Sequence, residues 1–171
     1  MKDLKQPGDA PLLNIEGLKV SFRSARGTVV AVDGVDLQVM PGEALGIVGE
    51  SGSGKSVSNL AVLDLLPKPQ AKVEAKALEF EGRSLLELSA EEMRKLRGAE
   101  IAMVFQDPMT ALNPFMRISR QMAEVLEAHT SRSQEEIREA CIQMLERVGI
   151  PDPEQRIDAY PHEFSGGMRQ R

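Results

Sequence analysis

Eight consecutive residues, Gly49-Glu50-Ser51-Gly52-Ser53-Gly54-Lys55-Ser56, combine the residue types that bind a phosphate chain. Glycines at both ends of the loop let the backbone turn tightly and approach an anion closely, so that successive N–H groups converge on phosphate oxygens. Lys55 adds a point charge suited to the β- and γ-phosphates, and Ser56 a hydroxyl suited to Mg²⁺. A helix opening at this point adds its unpaired N–H groups and the positive end of its dipole. The chemistry indicated is the holding of a nucleoside triphosphate.

The flanking residues supply the elements such a loop needs. Ala44-Leu45-Gly46-Ile47-Val48, launched from the turn Pro41-Gly42-Glu43, reads as a short buried strand. Val57 to Leu66, apolar at Val57, Leu60, Ala61, Leu63 and Leu65 and stopped by Pro67, reads as the helix. Upstream, Leu18, Val20 and Phe22 alternate with charged and polar residues, Ser24 to Gly27 turns the chain, and Thr28 to Val32 and Val35 to Val39 give two more strand-like runs. This is an antiparallel β region leading into the loop. Residues 1–11 read as a loose lead-in.

Downstream, Val73 to Phe80 is strand-like and closes at Gly82, and Ser89 with Glu92 forms a capping box for a short helix ending at Gly98. Ile101 to Phe105 is a compact apolar run, the pattern of a second buried parallel strand, ending at Gln106. Asp107 to Pro114 is irregular. Ile118, Met122, Val125 and Leu126 then share one helical face. A second capping box, Ser133 with Glu136, opens a helix striped by Ile137, Cys141, Met144, Leu145 and Val148 and ended by Gly149. The pair suggests a helical subdomain, with Met122 and Met144 as core filler.

Composition sets outer bounds. A 42% hydrophobic and 27% charged chain of 171 residues is long enough for one globular core. No apolar run approaches membrane-spanning length, the N-terminus has no secretory core, and a cytoplasmic location is expected. Cys141 is the single cysteine, which excludes an internal disulfide and assigns it to packing. The formal charge of −5 gives no general attraction for nucleic acid.

Near the end, Ser165-Gly166-Gly167 followed by Met168-Arg169-Gln170-Arg171 resembles the signature motif of ATP-binding cassette (ABC) ATPases, whose usual core is Leu-Ser-Gly-Gly-Gln. Phe164 and Met168 replace its outer residues. A hydroxyl, two small residues and a helix start again suit an anion. Three stretches, residues 46–57, 105–114 and 160–165, are similar to the ATPase subunits of bacterial dipeptide and oligopeptide importers, and there Phe164 and Met168 follow that branch. The resemblance runs from about Leu12 to Arg171.

The resemblance implies an α/β fold: a phosphate-loop NTPase core with an N-terminal antiparallel β region over residues 12–106, the Q-loop and helical subdomain over 107–164, and the signature motif over 165–171. It implies ATP and Mg²⁺ as cofactors, with Gly49, Glu50, Ser51, Gly52, Ser53, Gly54, Lys55, Ser56 and Val57 around the nucleotide. Lys55 and Gln106 would be catalytic, Ser56 and Gln106 would attend the metal, and Gln106 would also sense the γ-phosphate. Phe22 is the candidate for adenine stacking, with core packing as an equal alternative and Arg26 as a substitute. Ser165, Gly166, Gly167 and Met168 would press on ATP held by a second ATPase subunit, head to tail. Asp107 to Met116 would face a coupling helix of a transmembrane permease subunit, so that membrane attachment is indirect, on the inner face. His129 and His162 read as solvent-facing or helix-contacting imidazoles.

In this family the signature helix leads to a strand ending in Asp, then a catalytic Glu and a switch His; this sequence ends before any of them, and before the branch's C-terminal cysteine cluster. The expectation is therefore a cassette truncated after its signature motif, of marginal stability, whose sheet lacks strands and leaves the apolar faces of Ala44 to Val48 and Ile101 to Phe105 poorly covered, and that binds ATP better than it hydrolyses it. The alternatives are a non-hydrolysing nucleotide-binding or interaction fragment, and a soluble cassette ATPase of DNA repair or translation.

Overall fold

The computed structural model describes residues 10–106 and 110–171, arranged as two compact units, Met1–Arg94 and Lys95–Arg171. Of the segment expected to face a membrane subunit, residues 107–109 therefore lie outside the described residues, as do residues 1–9 of the lead-in.

The first unit is built on a long antiparallel ribbon, β1 (Leu13–Ser24) and β2 (Gly27–Val39). The two runs expected at 28–32 and 35–39 join in one strand through Gly34, which takes a positive φ. Gly17, also at positive φ, breaks the register: Ile15 pairs with Leu37, but Leu18 pairs with Val35. This bulge moves the buried face from Ile15 to Leu18 and Val20. On the other edge of β1, β3 (Ala71–Glu74) pairs along Lys19–Phe22 and β4 (Ala77–Phe80) along Leu13–Glu16. The single strand expected at Val73 to Phe80 is thus two, broken opposite the bulge, where Lys76 N–H bonds the Glu16 carbonyl at 2.8 Å. Glu81 and Gly82, both at positive φ, turn the chain into β5 (Arg83–Ser84), completing a five-stranded sheet.

Helix α1 (Lys55–Val62) is shorter than the run to Leu66 suggests, because Leu63 caps it and Asp64 adopts φ +51°. Ala61, Val62, Leu63 and Leu66 are nevertheless buried, as are Leu78, Phe80, Leu85 and Met93. Helix α2 (Ala90–Leu96) starts at the expected capping box, with Glu92 Oε2 accepting from Ser89 N–H at 2.8 Å.

The second unit packs α3 (Ile118–His129) and α4 (Gln134–Arg147), followed by the short helices α5 (Pro153–Arg156) and α6 (Gly166–Gln170). Its core is Ile118, Ile137, Cys141, Leu145, Ile150, Ile157 and Phe164. Ile137, Cys141 and Leu145 recur at four-residue spacing, so one narrow stripe of α4 faces inward. Met144 lies on the flank of that stripe and is 47% exposed, not core filler, and Val125 of α3 is 55% exposed, whereas Met122 packs against the core. Burial pushes the Cys141 thiol above its ordinary pKa, consistent with a packing role.

The two expected parallel strands are not formed. Ala44–Val48 and Ala102–Phe105 carry no strand pairing among the described residues, and Val48 and Val104 are 95% and 88% exposed. Ile101 makes only an isolated bridge with Arg97. An apolar run becomes a buried strand only when neighbours supply hydrogen bonds and cover both faces. In the described residues none does so. No helix among these residues is long and apolar enough to cross a membrane.

Candidate functional site

The phosphate loop occupies residues 49–54 of the first unit and runs directly into α1. Gly54 precedes the helix at φ +92°, and a Cβ there would meet the Ala31 carbonyl oxygen at 2.8 Å and Val32 Cγ2 at 3.2 Å. Only glycine satisfies both the conformation and the space. A Cβ on Gly49 would meet Ser53 Oγ at 2.7 Å, so the loop closes tightly on itself.

Lys55 is folded into that loop. Its Nζ donates to the carbonyls of Gly49 at 2.6 Å and Glu50 at 2.8 Å and to Ser53 Oγ at 3.1 Å, using all three ammonium protons. The two carbonyls and the hydroxyl hold the ammonium against the loop. Ser56 is exposed in the first turn of α1, with Val57 half-buried beside it.

No side chain caps α1, and its first turn holds no acidic residue. The first N–H groups of a helix have no partner within the helix, so an uncapped start surrounded by a glycine cradle and an ammonium suits an anion. The loop also borders a cleft of about 450 Å³ walled by Ile15, Leu37, Leu45, Ile47 and Val62. Those apolar walls include the unpaired run before the loop.

Phe22 lies two residues inside β1, half-buried, paired with Val29 on one side and Ala71 on the other. Gln106 is exposed in the second unit, immediately before the residues that are not described. The structure thus groups Gly49 to Val57 in one loop and helix start, with Phe22 elsewhere in the same unit. Gln106 and the Ser165 motif belong to the other unit.

Ser165 is the N-cap of α6, its Oγ accepting from Met168 N–H at 3.2 Å. That bond uses one of the two lone pairs of Ser165 Oγ and leaves its hydroxyl proton to donate. Gly166 and Gly167 are exposed, and a Cβ on either would touch nothing within 4 Å. Internal packing therefore gives no reason for these glycines, in contrast to Gly54. Phe164 is buried and Met168 packs on the same core, which gives a physical reason for both departures from the usual Leu and Gln. Arg171 Nη1 donates to the Gly149 carbonyl at 2.7 Å, tying the end of α6 to the end of α4.

Among the described residues, no group of three or more His, Cys, Asp or Glu could hold a metal ion. His162 stacks on Tyr160 at 5.6 Å, and His129 packs on Gly98, so both histidines have structural surroundings. Sequence reasoning missed Gln121, whose side chain bonds three backbone groups of residues 113–116. A polar residue on a helix carries no periodic signal that separates such a clamp from a solvated face.

The family model described as ABC transporter matches residues 32–171. The chain is 49% identical over 160 residues to the oligopeptide transport ATP-binding protein OppD of Bacillus subtilis, covering 94% of this chain and 45% of that protein. It is also 49% identical over 160 residues to the dipeptide transport ATP-binding protein DppD of the same organism, covering 94% of this chain and 48% of that protein. The chain spans about half the length of these relatives. Among solved structures, the dimeric bacterial ABC transporter cassette MJ0796 superposes with a TM-score of 0.73 at 23% identity, covering 92% of this chain and 65% of that one. A post-hydrolysis dimer of the same cassette bound to ADP and Pi gives 0.70 at 24% identity, covering 92% and 65%. These two likenesses concern the fold.

Proposed function

The chain belongs to the ABC transporter family, and from that membership we propose that it is the ATP-binding portion of a peptide-importer ATPase subunit. The observation that carries this reading is the open start of α1: an uncapped helix end, a glycine loop closed by its own packing, and Lys55 held against it. The names of the relatives, oligopeptide and dipeptide transport ATP-binding proteins, supply the substrate class.

On this reading the backbone N–H groups of residues 50–56 bind the phosphates. Lys55 exchanges its carbonyl contacts for phosphate oxygens, a stronger partnership because both groups are charged. Ser56 and Gln106 are the residues that would attend Mg²⁺, which when bound neutralises charge on the β- and γ-phosphates. Phe22 is the adenine-stacking candidate. Ser165 donates its free proton, and Gly166 and Gly167 allow close backbone approach, toward ATP on a second subunit arranged head to tail. Residues 107–116 face the transmembrane permease subunits, which places the protein at the inner face of the membrane without a span of its own. Peptide selectivity lies in those other subunits.

On this reading the loop, Lys55, Ser56 and Gln106 by themselves hold nucleotide better than they turn it over, because phosphoryl transfer also needs an acidic partner for the metal.

The test is binding of a fluorescent ATP analogue with Mg²⁺, measured together with phosphate release, for the chain and for Lys55→Ala. Binding that falls about 30- to 100-fold in Lys55→Ala, the loss expected of a charge-assisted contact, with little turnover in either protein, supports the reading. Equal binding by both proteins would refute it.

A further inference from the structure

The tip of the phosphate loop, Glu50–Ser53, is a turn closed by Ser53 N–H on the Glu50 carbonyl at 3.3 Å, with Gly52 at φ +84° in the third position. Lys55 ties the two arms of this turn together. Its Nζ donates to the carbonyls of Gly49 and Glu50 on one arm and to Ser53 Oγ on the other. An ammonium has three protons to donate, and all three are engaged. A phosphate oxygen gains one of them only when one of these partners lets go.

The three partners are not equal. The carbonyls lie at 2.6 and 2.8 Å and belong to the backbone, which moves only if the loop does. The hydroxyl lies at 3.1 Å, the longest of the three, on an exposed residue. A change of its χ1 rotamer releases the ammonium and leaves the backbone where it is. Gly49 makes room for this contact. It takes no positive φ, so its conformation does not call for glycine, yet a Cβ there would meet Ser53 Oγ at 2.7 Å and Lys55 Nζ at 3.5 Å. The space that a side chain at position 49 would fill is the space in which the hydroxyl meets the ammonium.

We propose that Ser53 is a positioning residue that latches Lys55 inside the loop: its hydroxyl stands in for a phosphate oxygen and is the first partner that an entering nucleotide displaces. This inference rests on the reading of the loop as the phosphate site. A protein that spends part of its time latched offers only the remaining fraction to the ligand, and its apparent affinity is lowered by that fraction. Loss of the hydroxyl therefore strengthens binding, whereas loss of a phosphate ligand weakens it.

The experiment follows association and dissociation of a fluorescent ATP analogue with Mg²⁺ by stopped flow. It compares the unaltered chain with Ser53→Ala, Ser53→Thr and Lys55→Ala, and records Tm for each. The expected result for Ser53→Ala is binding about three- to tenfold tighter, in line with one net hydrogen bond. The gain lies in faster association, with dissociation unchanged. Ser53→Thr keeps a hydroxyl and restores the slower association. A general loosening of the loop would instead weaken binding and would not respond to the hydroxyl.

Weaker binding by Ser53→Ala, with binding lost in Lys55→Ala, would make the hydroxyl a phosphate ligand and overturn the latch alone. Unaltered binding by Ser53→Ala, or a Ser53→Thr that behaves as Ser53→Ala does, would overturn it as well. A Lys55→Ala that binds as tightly as the unaltered chain would remove the phosphate site itself, and the latch with it.

Discussion

Helix α4 begins closed and helix α1 begins open. At α4, Ser133 Oγ accepts from Glu136 N–H at 3.3 Å and Glu136 Oε2 accepts from Ser133 N–H at 2.7 Å, with Glu135 adding a second carboxylate to the first turn. The hydrogen bonds from Ser133 hold the Glu136 carboxyl below its ordinary pKa. At α1 the capping position is Gly54 in a left-handed conformation, without a capping side chain and without a first-turn acid. The two starts face the same problem of unpaired N–H groups and a positive dipole end. One solves it with its own side chains and is structural; for the other the proposal is that a ligand supplies the solution. On that proposal, function at α1 shows as a stabilising device left out.

The largest test of this contrast is Gly54→Ala. A methyl at φ +92°, directed 2.8 Å from the Ala31 carbonyl, should cost about 1–3 kcal/mol of stability and abolish nucleotide binding, read by thermal melting and titration. A variant that melted normally and bound ATP would mean that the loop adopts another shape.

Ser133→Ala should cost about 1 kcal/mol, the usual worth of an N-cap, and leave nucleotide affinity unchanged. A loss of affinity from this change would break the separation between structural and functional helix starts.

The smallest effect concerns pH. Hydrogen bonds from Gln134 and the Arg120 charge lower the pKa of Glu127, those from Ser133 lower that of Glu136, and that from Arg138 lowers that of Asp158. Carboxyls with lowered folded-state pKa values stabilise the fold above their ordinary range, and that contribution fades as pH falls through the lowered values. All three groups are at least partly exposed, so solvent screening keeps each contribution small. Helical circular dichroism followed from about pH 6 to about pH 3 should show α3 and α4 loosening only near the acid end. Loosening that instead begins well above the carboxylate range would contradict the assignment.

Local signals in the sequence are legible because the physics behind them is local. The glycine turn into α1, the capping boxes at Ser89 and Ser133, and the Ile137–Cys141–Leu145 stripe each depend on residues within a few positions. The runs at Ala44–Val48 and Ile101–Phe105 failed as strands because burial and pairing depend on neighbours that no local pattern reports. The break at Lys76 comes from the Gly17 bulge in a different strand. Met144 was misplaced because it sits one position from the edge of a narrow stripe. Phe164 and Met168 looked like departures from a motif until their packing on the helical core gave them a reason. The three bonds of Gln121 join residues five to eight positions apart across a turn, and no periodicity encodes them.

Amide hydrogen exchange, with and without Mg²⁺ and ATP, reads both helix starts in one experiment. The account predicts that nucleotide slows exchange across Gly52–Ser58 and leaves Ser133–Ile137 as it was, already protected by its own caps. Equal protection at both starts, or none at Gly52–Ser58 under conditions where ATP is bound, would contradict the claim that the open start of α1 is the phosphate site.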